Sequence, residues 1–294
     1  MQINLERDGL SAVISTVGAE LQSLRVDGRE YLWQGDPRWW DRRAPILFPM
    51  VGSLRRDTAF TLSGGTCRMT RHGFARDTTH AVLEQQSDTV TFRLEDSAWS
   101  RKQYPYAFRL DTTYSIAGPR ILTIRFAVTN TGDGAMPFVI GGHPGFQVPL
   151  PGTGEDFTDY ALQFEQAEML RVPSLVDATG ELDFTNRRWL AEDSDTLPLD
   201  HHLFDHDALV FDNLQTRTLT LRGSKSGHGV RIDFADFPMI GVWSPAGEAP
   251  FVALEPWTGC TACVGEDDCF DHKRGMRTLP PGETAVYTFS ITVF

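Results

Sequence analysis

Three short segments set ionisable side chains inside apolar surroundings rich in Gly and Pro: RHGFAR, centred on His72, IGGHPGF, centred on His143, and APFVALEPWTG, centred on Glu255. Imidazole and carboxylate groups are the usual carriers of general acid–base chemistry near neutral pH. Glu255 ends the apolar run FVALE and precedes Pro256 and Trp257. A carboxylate there is costly unless it is paired, ligand-bound or protonated, and desolvation beside an aromatic wall raises its pKa toward the range of a general base. A strand-end glutamate facing water is the plainer alternative. His143 follows two glycines and precedes Pro144 and Gly145, residues that let a backbone approach a ligand and hold a side chain at a strand end. A core histidine bonded to a loop carbonyl fits equally well. His72 shares its segment with Arg71 and Arg76, whose charges favour a neutral imidazole able to donate one hydrogen bond. A solvated loop histidine is the alternative.

Other clusters carry less. Trp33, Trp39, Trp40, Trp243 and Trp257 sit near Gly/Pro loops, where flat rings can pack on the C–H faces of a sugar, although each taken singly is better read as core. Cys260-x2-Cys263-x5-Cys269, with His272 nearby, has the ligand types of a zinc knot but not the two well-spaced pairs of a structural site, so no metal is expected. HHLFDHD at 201–207 reads as a polar loop with one inward aspartate rather than a metal site. No base stands beside a cysteine nucleophile.

Such residues need strands to hold them. Apolar residues alternate with polar ones at Val90/Phe92/Leu94, at Phe108/Leu110/Thr112/Tyr114/Ile116, at Leu122/Ile124/Phe126/Val128 and at Ala285/Tyr287/Phe289/Ile291/Val293. Leu219/Leu221 and Val230/Ile232/Phe234 are shorter runs. Period two marks strands with one face on a core. Turn signals divide them: Asp8–Gly9, Asp27–Gly28, GDG at 132–134, GSKSG at 223–227 and PPG at 280–282. Convincing amphipathic helices are absent, with single helical turns expected near 97–103 and 202–206. An all-β sandwich of antiparallel sheets follows, as one domain over residues 1–294, with 150–158 as an internal loop. No repeat of 20–50 residues, Gly-rich dinucleotide fingerprint or phosphate-binding loop is present.

The chain has 294 residues, with 27 Lys+Arg against 39 Asp+Glu, a formal charge of −12. That balance disfavours nucleic acid and anionic membrane surfaces as partners. No apolar run approaches a membrane span and the N-terminus lacks a leader pattern, so the cytoplasm is the expected compartment. Four cysteines, three of them clustered, are too few for a disulfide framework in a chain of this length.

Taken together and in order, the motifs WQG (33–35), APILFPMVG (44–52), RHGFAR, PFVIGGHPGF (137–146), HDALVF (206–211), DFPMIGVWSP (236–245), PFVALEPWTG (250–259) and K-x-G-x-x-x-L-x-P-G-E (Lys273–Glu283) resemble the aldose 1-epimerase (galactose mutarotase-like) family, closest to its hexose-6-phosphate mutarotase-like branch. The resemblance implies a galactose mutarotase-like β-supersandwich and interconversion of the α and β anomers of a hexose or hexose derivative, phosphorylated or not, without cofactor or metal. It implies that His143 protonates the ring oxygen, Glu255 takes the proton of the C1 hydroxyl, His72 bonds the sugar near the ring oxygen and Asp207 holds sugar hydroxyls. Phe146 and Trp257 match pocket walls. The arginine that follows the LFP segment in the family is assigned to Arg55, with Arg56 as the neighbouring alternative, while Arg42 and Arg43 resemble a position of the phosphate-sugar branch. Arg76 suits bidentate oxyanion contact, or else a loop salt bridge. For ring opening, Glu255 must start ionised and His143 protonated. A non-catalytic sugar-binding protein on the same fold is the main rival. A lyase or glycosidase comes next, and hydrolysis would need a second carboxylate beside Glu255. A cysteine-based metal module is the weakest reading.

Overall fold

The computed structural model describes residues 1–294. Each run of alternating residues forms a strand. The central hairpin pairs Phe108–Gly118 with Ile121–Asn130, and Leu110, Tyr114, Ile116, Leu122, Ile124 and Phe126 all turn inward. The C-terminal strand Thr284–Val293 lies beside it and buries Phe289, Ile291 and Val293. These strands belong to a nine-stranded antiparallel sheet in the spatial order 181–198, 160–176, 218–223, 229–233, 284–293, 121–130, 108–118, 89–95, 81–85.

A four-stranded meander, Gln2–Arg7, Leu10–Ser15, Leu21–Val26 and Arg29–Glu30, opens the chain. Its first and last turns are Asp8–Gly9 and Asp27–Gly28, and all four residues have positive φ, between 50° and 81°. That conformation defines a type I′ turn and explains why Asp-Gly marks these hairpins. The expected helical turns are 3-10 turns at Ser100–Lys102 and His201–Phe204. No helix is long and apolar enough to cross a membrane.

The hairpin of Tyr160–Val176 and Glu181–Pro198 lacks a legible alternation in the sequence, and the reason is visible in the pairing: its register shifts at four points. Each shift moves side chains from one face to the other and breaks the period-two pattern.

The sheet that matters for function is built from short pieces. It runs Leu209–Phe211, Met239–Trp243, Phe251–Trp257, Gly141–Gly142 and Ile46–Leu47, with Gly145–Gln147 also pairing to the 251–257 strand. Phe251–Trp257 is buried along its whole length, which is why it reads as an apolar run rather than an alternation. One face packs on the large sheet: a β-carbon added to Gly142 would lie 2.8 Å from the Phe289 ring. The opposite face carries the ionisable residues.

Candidate active site

Gly141 pairs with Trp257, and Gly145 pairs with Ala253. Both pairs belong to one register, so the residue facing Glu255 across the ladder is His143. Pro144 interrupts the strand, yet its carbonyl still accepts from Leu254 N at 3.0 Å, so the alignment is kept. Directly opposed residues hold their β-carbons about 5 Å apart. Here the imidazole Nε2 reaches to 3.2 Å from Glu255 Oε2. Both side chains are almost fully buried. The contact is close but poorly aligned for a hydrogen bond, and both Glu255 Oε2 and His143 Nδ1 have no hydrogen-bond partner.

Period two decides what else faces this pair. Ala253, Glu255 and Trp257 share a face, and on the neighbouring strand Gly241 sits opposite Glu255 with Trp243 two residues on. Trp257 fits because both flanking strands present glycine: an added β-carbon would lie 2.5 Å from its ring at Gly241 and 2.6 Å at Gly141. Trp40 stacks on the His143 ring at 4.7 Å, and Trp243 meets the same ring edge-on at 5.4 Å. Phe251 backs Trp40 at 5.6 Å.

His72 arrives from a loop whose backbone turns left-handed, with φ of 70° at both His72 and Gly73. The turn is held by a reciprocal exchange with Gly52: His72 N–H donates to Gly52 O at 2.7 Å, and Gly52 N–H donates to His72 Nδ1 at 3.1 Å. Nδ1 is therefore the acceptor, and Nε2 carries the hydrogen. The His72 ring stands edge-on to His143, 5.7 Å between centroids. Asp207, also left-handed at φ 67°, accepts from Ala208 N at 3.0 Å and from Arg71 Nη2 at 3.1 Å. Non-glycine residues in that region are strained, and such strain concentrates at functional sites.

These residues line one cavity of about 240 Å³, with His72, His143, Glu255 and Trp257 at its base and Arg71, Arg76 and Asp207 around it. A larger open groove of about 690 Å³, bordered by Asn130, Asp133 and Asp271, lies elsewhere and includes neither catalytic candidate.

The ionisable groups of the cavity respond to burial. Burial drives the Glu255 carboxyl well above the usual carboxylate range, repulsion from Asp207 adds to this, and Arg71 opposes it. Burial pushes His143 down to about 3, with Arg76, Arg71 and Arg42 contributing in the same direction. His72 is also held well below its ordinary value, by burial first and then by His143 and the same arginines. Burial thus shifts the Glu255 carboxyl and both imidazoles toward their neutral forms.

The structure brings together His143, Glu255, His72, Asp207, Trp257 and Arg76. It corrects two expected contacts. Arg55 does not line the cavity: Nε donates to Glu181 Oε1 at 2.8 Å and Nη1 to Asp268 at 2.8 Å, because the acidic GEDD stretch and the long hairpin offer it carboxylates on the far side. Arg56 is exposed. Phe146 lies in the main core, paired with Val252 and bridged to Leu32, since it alternates to the face opposite His143. The residue missed by the sequence reading is Arg71, which clamps Asp207; RHGFAR offered it, but nothing local distinguished it from Arg76. Arg42 pairs with Asp77 at 2.6 Å, and Arg43 reaches Gln22 at 2.8 Å.

The cysteines divide. Cys260 and Cys263 place their sulfurs 3.8 Å apart as free thiols, whereas Cys269 groups instead with Asp267 and His272. In the 201–207 loop Asp207 alone faces the cavity: His202 pairs with Asp205 at 3.0 Å and His201 stacks on Phe157 at 3.8 Å.

Comparison with known proteins places the chain in a family. The family model described as aldose 1-epimerase matches residues 1–266. The chromosomal and plasmid forms of Protein LacX from Lactococcus lactis subsp. lactis are each 39% identical over 299 aligned positions, covering 100% of this chain and 99% of theirs. A galactose mutarotase related enzyme from Lactobacillus acidophilus superposes with a TM-score of 0.93 at 32% identity, over 100% of this chain and 97% of that one. A galactose mutarotase-like protein from Lactobacillus casei does so at 0.91 and 33%, over the full length of both chains. With its whole length shared among these relatives and its fold among these structures, the chain belongs to the aldose 1-epimerase family.

Proposed function

We propose that this protein is an aldose 1-epimerase, a mutarotase, that opens and recloses the ring of a hexose or hexose derivative with Glu255 and His143 as its acid–base pair. The observation that carries the reading is the opposition of these two buried side chains at 3.2 Å in the lining of one sugar-sized cavity.

In the opening step the C1 hydroxyl gives its proton to Glu255, its oxygen lone pair forms the carbonyl, the C1–O5 bond breaks, and O5 takes the proton of His143. Rotation about C1–C2 exposes the other face of the aldehyde, and reclosure reverses both transfers. Ring opening therefore leaves Glu255 protonated and His143 neutral, the direction in which burial shifts both groups. The cyclic sugar, hydrogen-bonded between the two groups, must draw the proton back to His143. Trp40, stacked on that ring, supports the imidazolium through its π-face, while neutral His72 offers an Nε2–H toward the sugar. Each positioned proton-transfer group typically contributes about 10²–10⁴-fold.

One observation favours a second reading of the substrate, an aldose bearing an anionic group. Arg71 at the cavity is paired with Asp207, whereas Arg76, which also lines it, has a buried Nε without a hydrogen-bond partner and a long 3.7 Å approach to Asp77, its Nη2 donating to Arg71 O at 2.7 Å. NMR saturation exchange on aldoses and their 6-phosphates measures both points. Accelerated anomer exchange is the expected result; sugar binding without acceleration would leave a sugar-binding protein and end the catalytic reading.

A further inference from the structure

Trp257 walls the cavity, and its indole N–H is buried without a hydrogen-bond partner. A buried tryptophan N–H usually finds an acceptor, and it can only donate. Two contacts fix where this one lies. An added β-carbon at Gly141 would meet Cδ1 of the ring at 2.6 Å, and one at Gly241 would meet Cζ2 at 2.6 Å. These two carbons bracket Nε1 along one ring edge, Cδ1–Nε1–Cε2–Cζ2. Gly141 pairs with Trp257 itself on one side of the strand, and Gly241 pairs with Glu255 on the other. The edge that carries Nε1 therefore crosses the strand obliquely, from position 257 toward position 255.

The acceptor it approaches is Glu255, on the same face two residues back, whose Oε2 is also buried and unpartnered. The N–H is near enough to pull the carboxyl's pKa down against burial, although the two atoms do not complete an aligned bond. The other charged or titratable groups that face Glu255 are His143, from the 141–145 segment, and Arg71 and Asp207, from two loops, with His72 and Arg76 in the same lining. On the neighbouring strand Gly241 and Trp243 carry no charge. Arg71 is held by Asp207 at 3.1 Å, and Arg76 Nη2 donates to Arg71 O at 2.7 Å. The indole is thus a neutral donor at the base with no other acceptor.

Ring opening needs Glu255 as a carboxylate, and a hydrogen bond to the charged form favours that form. A bond to the anion is also stronger than one to the neutral carboxyl. We propose that Trp257 is a positioning residue: its indole N–H bonds the ionised carboxylate of Glu255 and holds it as the base for the C1 hydroxyl. The catalytic consequence rests on the mutarotase reading; the pairing of the two side chains does not.

Two replacements test it in the full-length protein: Trp257→Phe, and benzothienylalanine incorporated at position 257, which keeps the ring shape and puts sulfur in place of the N–H. The midpoint of Glu255, followed by 13C NMR of the glutamate side-chain carboxyls and assigned with Glu255→Gln, should move about 1–2 pH units higher in both. The acid limb of kcat/KM for anomer exchange should move with it, with kcat falling about tenfold or more at neutral pH and KM changing little. In the wild type the Trp257 N–H resonance should shift downfield as Glu255 ionises. An unchanged midpoint would overturn the pairing, whether activity is kept, which would make Trp257 a wall only, or KM rises, which would make it a sugar contact. If Trp257→Phe does not fold, the sulfur isostere decides. If no sugar is exchanged by the wild type, the mutarotase reading fails separately, and the NMR midpoints still decide the pairing.

Discussion

Nε2 of His143 lies 3.2 Å from Oε2 of Glu255, and the two residues face each other across one step of an antiparallel ladder. Strand register thus sets the spacing of the acid–base pair, and the pair acts as a unit. Glu255→Gln and His143→Gln should each reduce kcat/KM for anomer exchange by about 10²–10⁴-fold, and the double variant should lose little more than either single one. Full activity in Glu255→Gln would remove the assignment of the base.

Burial drives the Glu255 carboxyl well above the usual carboxylate range. Infrared difference spectra at neutral pH should show the C=O stretch of a protonated carboxylic acid that Glu255→Gln abolishes. The raised pKa has a consequence for stability. The folded protein holds this proton more tightly than the unfolded chain, so the contribution is present below the unfolded value and is lost as pH rises through the folded one. Glu255→Gln, neutral at every pH, should therefore gain stability relative to the wild type from pH 5 to pH 9 in denaturant titrations. A constant difference across that range would contradict the buried, protonated state.

His72 is fixed in one tautomer by the Gly52 amide and orients the sugar rather than moving the reacting protons. His72→Ala should lower kcat/KM by roughly ten- to a hundredfold through a lost hydrogen bond, mainly by raising KM, which is less than the loss at His143. A kcat loss as large as that of His143→Gln would give His72 a proton-transfer role instead.

Trp257 keeps its place because Gly241 has no side chain: an added β-carbon would stand 2.5 Å from Cη2 of the indole. Gly241→Ala should cost about 1–3 kcal/mol of stability by overpacking. It should also shift tryptophan fluorescence and lower activity together. Thermal unfolding and emission spectra read both.

His80 lies outside the site, 1% exposed, with Nε2 donating to Ala75 O at 3.0 Å and Nδ1 unpaired. Burial pushes its pKa down to about 4. The unfolded chain takes up this proton first, so stability falls as pH drops from about 6.5 toward 4, by an amount on the order of 2–3 kcal/mol for this residue. His80→Gln should flatten that part of the stability profile. An unchanged slope would assign acid lability to other groups.

Much of this could be read from local sequence. Strands such as 108–118 and 284–293 declare themselves because period two is a property of neighbouring residues, and Asp8–Gly9 and Asp27–Gly28 mark hairpins because their turn needs positive φ. The motifs around His72, His143 and Glu255 stand out because ionisable groups interrupt apolar, glycine-rich stretches. What no local pattern contained was the pairing between remote strands. Phe146 was expected in the cavity, yet one residue of alternation turns it into the core, while Trp243 falls on the catalytic face by the same rule. Arg55 and Arg71 are equally basic in sequence, and only the positions of Glu181, Asp268 and Asp207 decide which one reaches the site. Composition and periodicity mark the alternating strands and the residues that have the chemistry; long-range register and the carboxylates it brings near each arginine decide which of them meet, because a side chain's direction depends on its partner strand and its ion-pair partners lie distant in the chain.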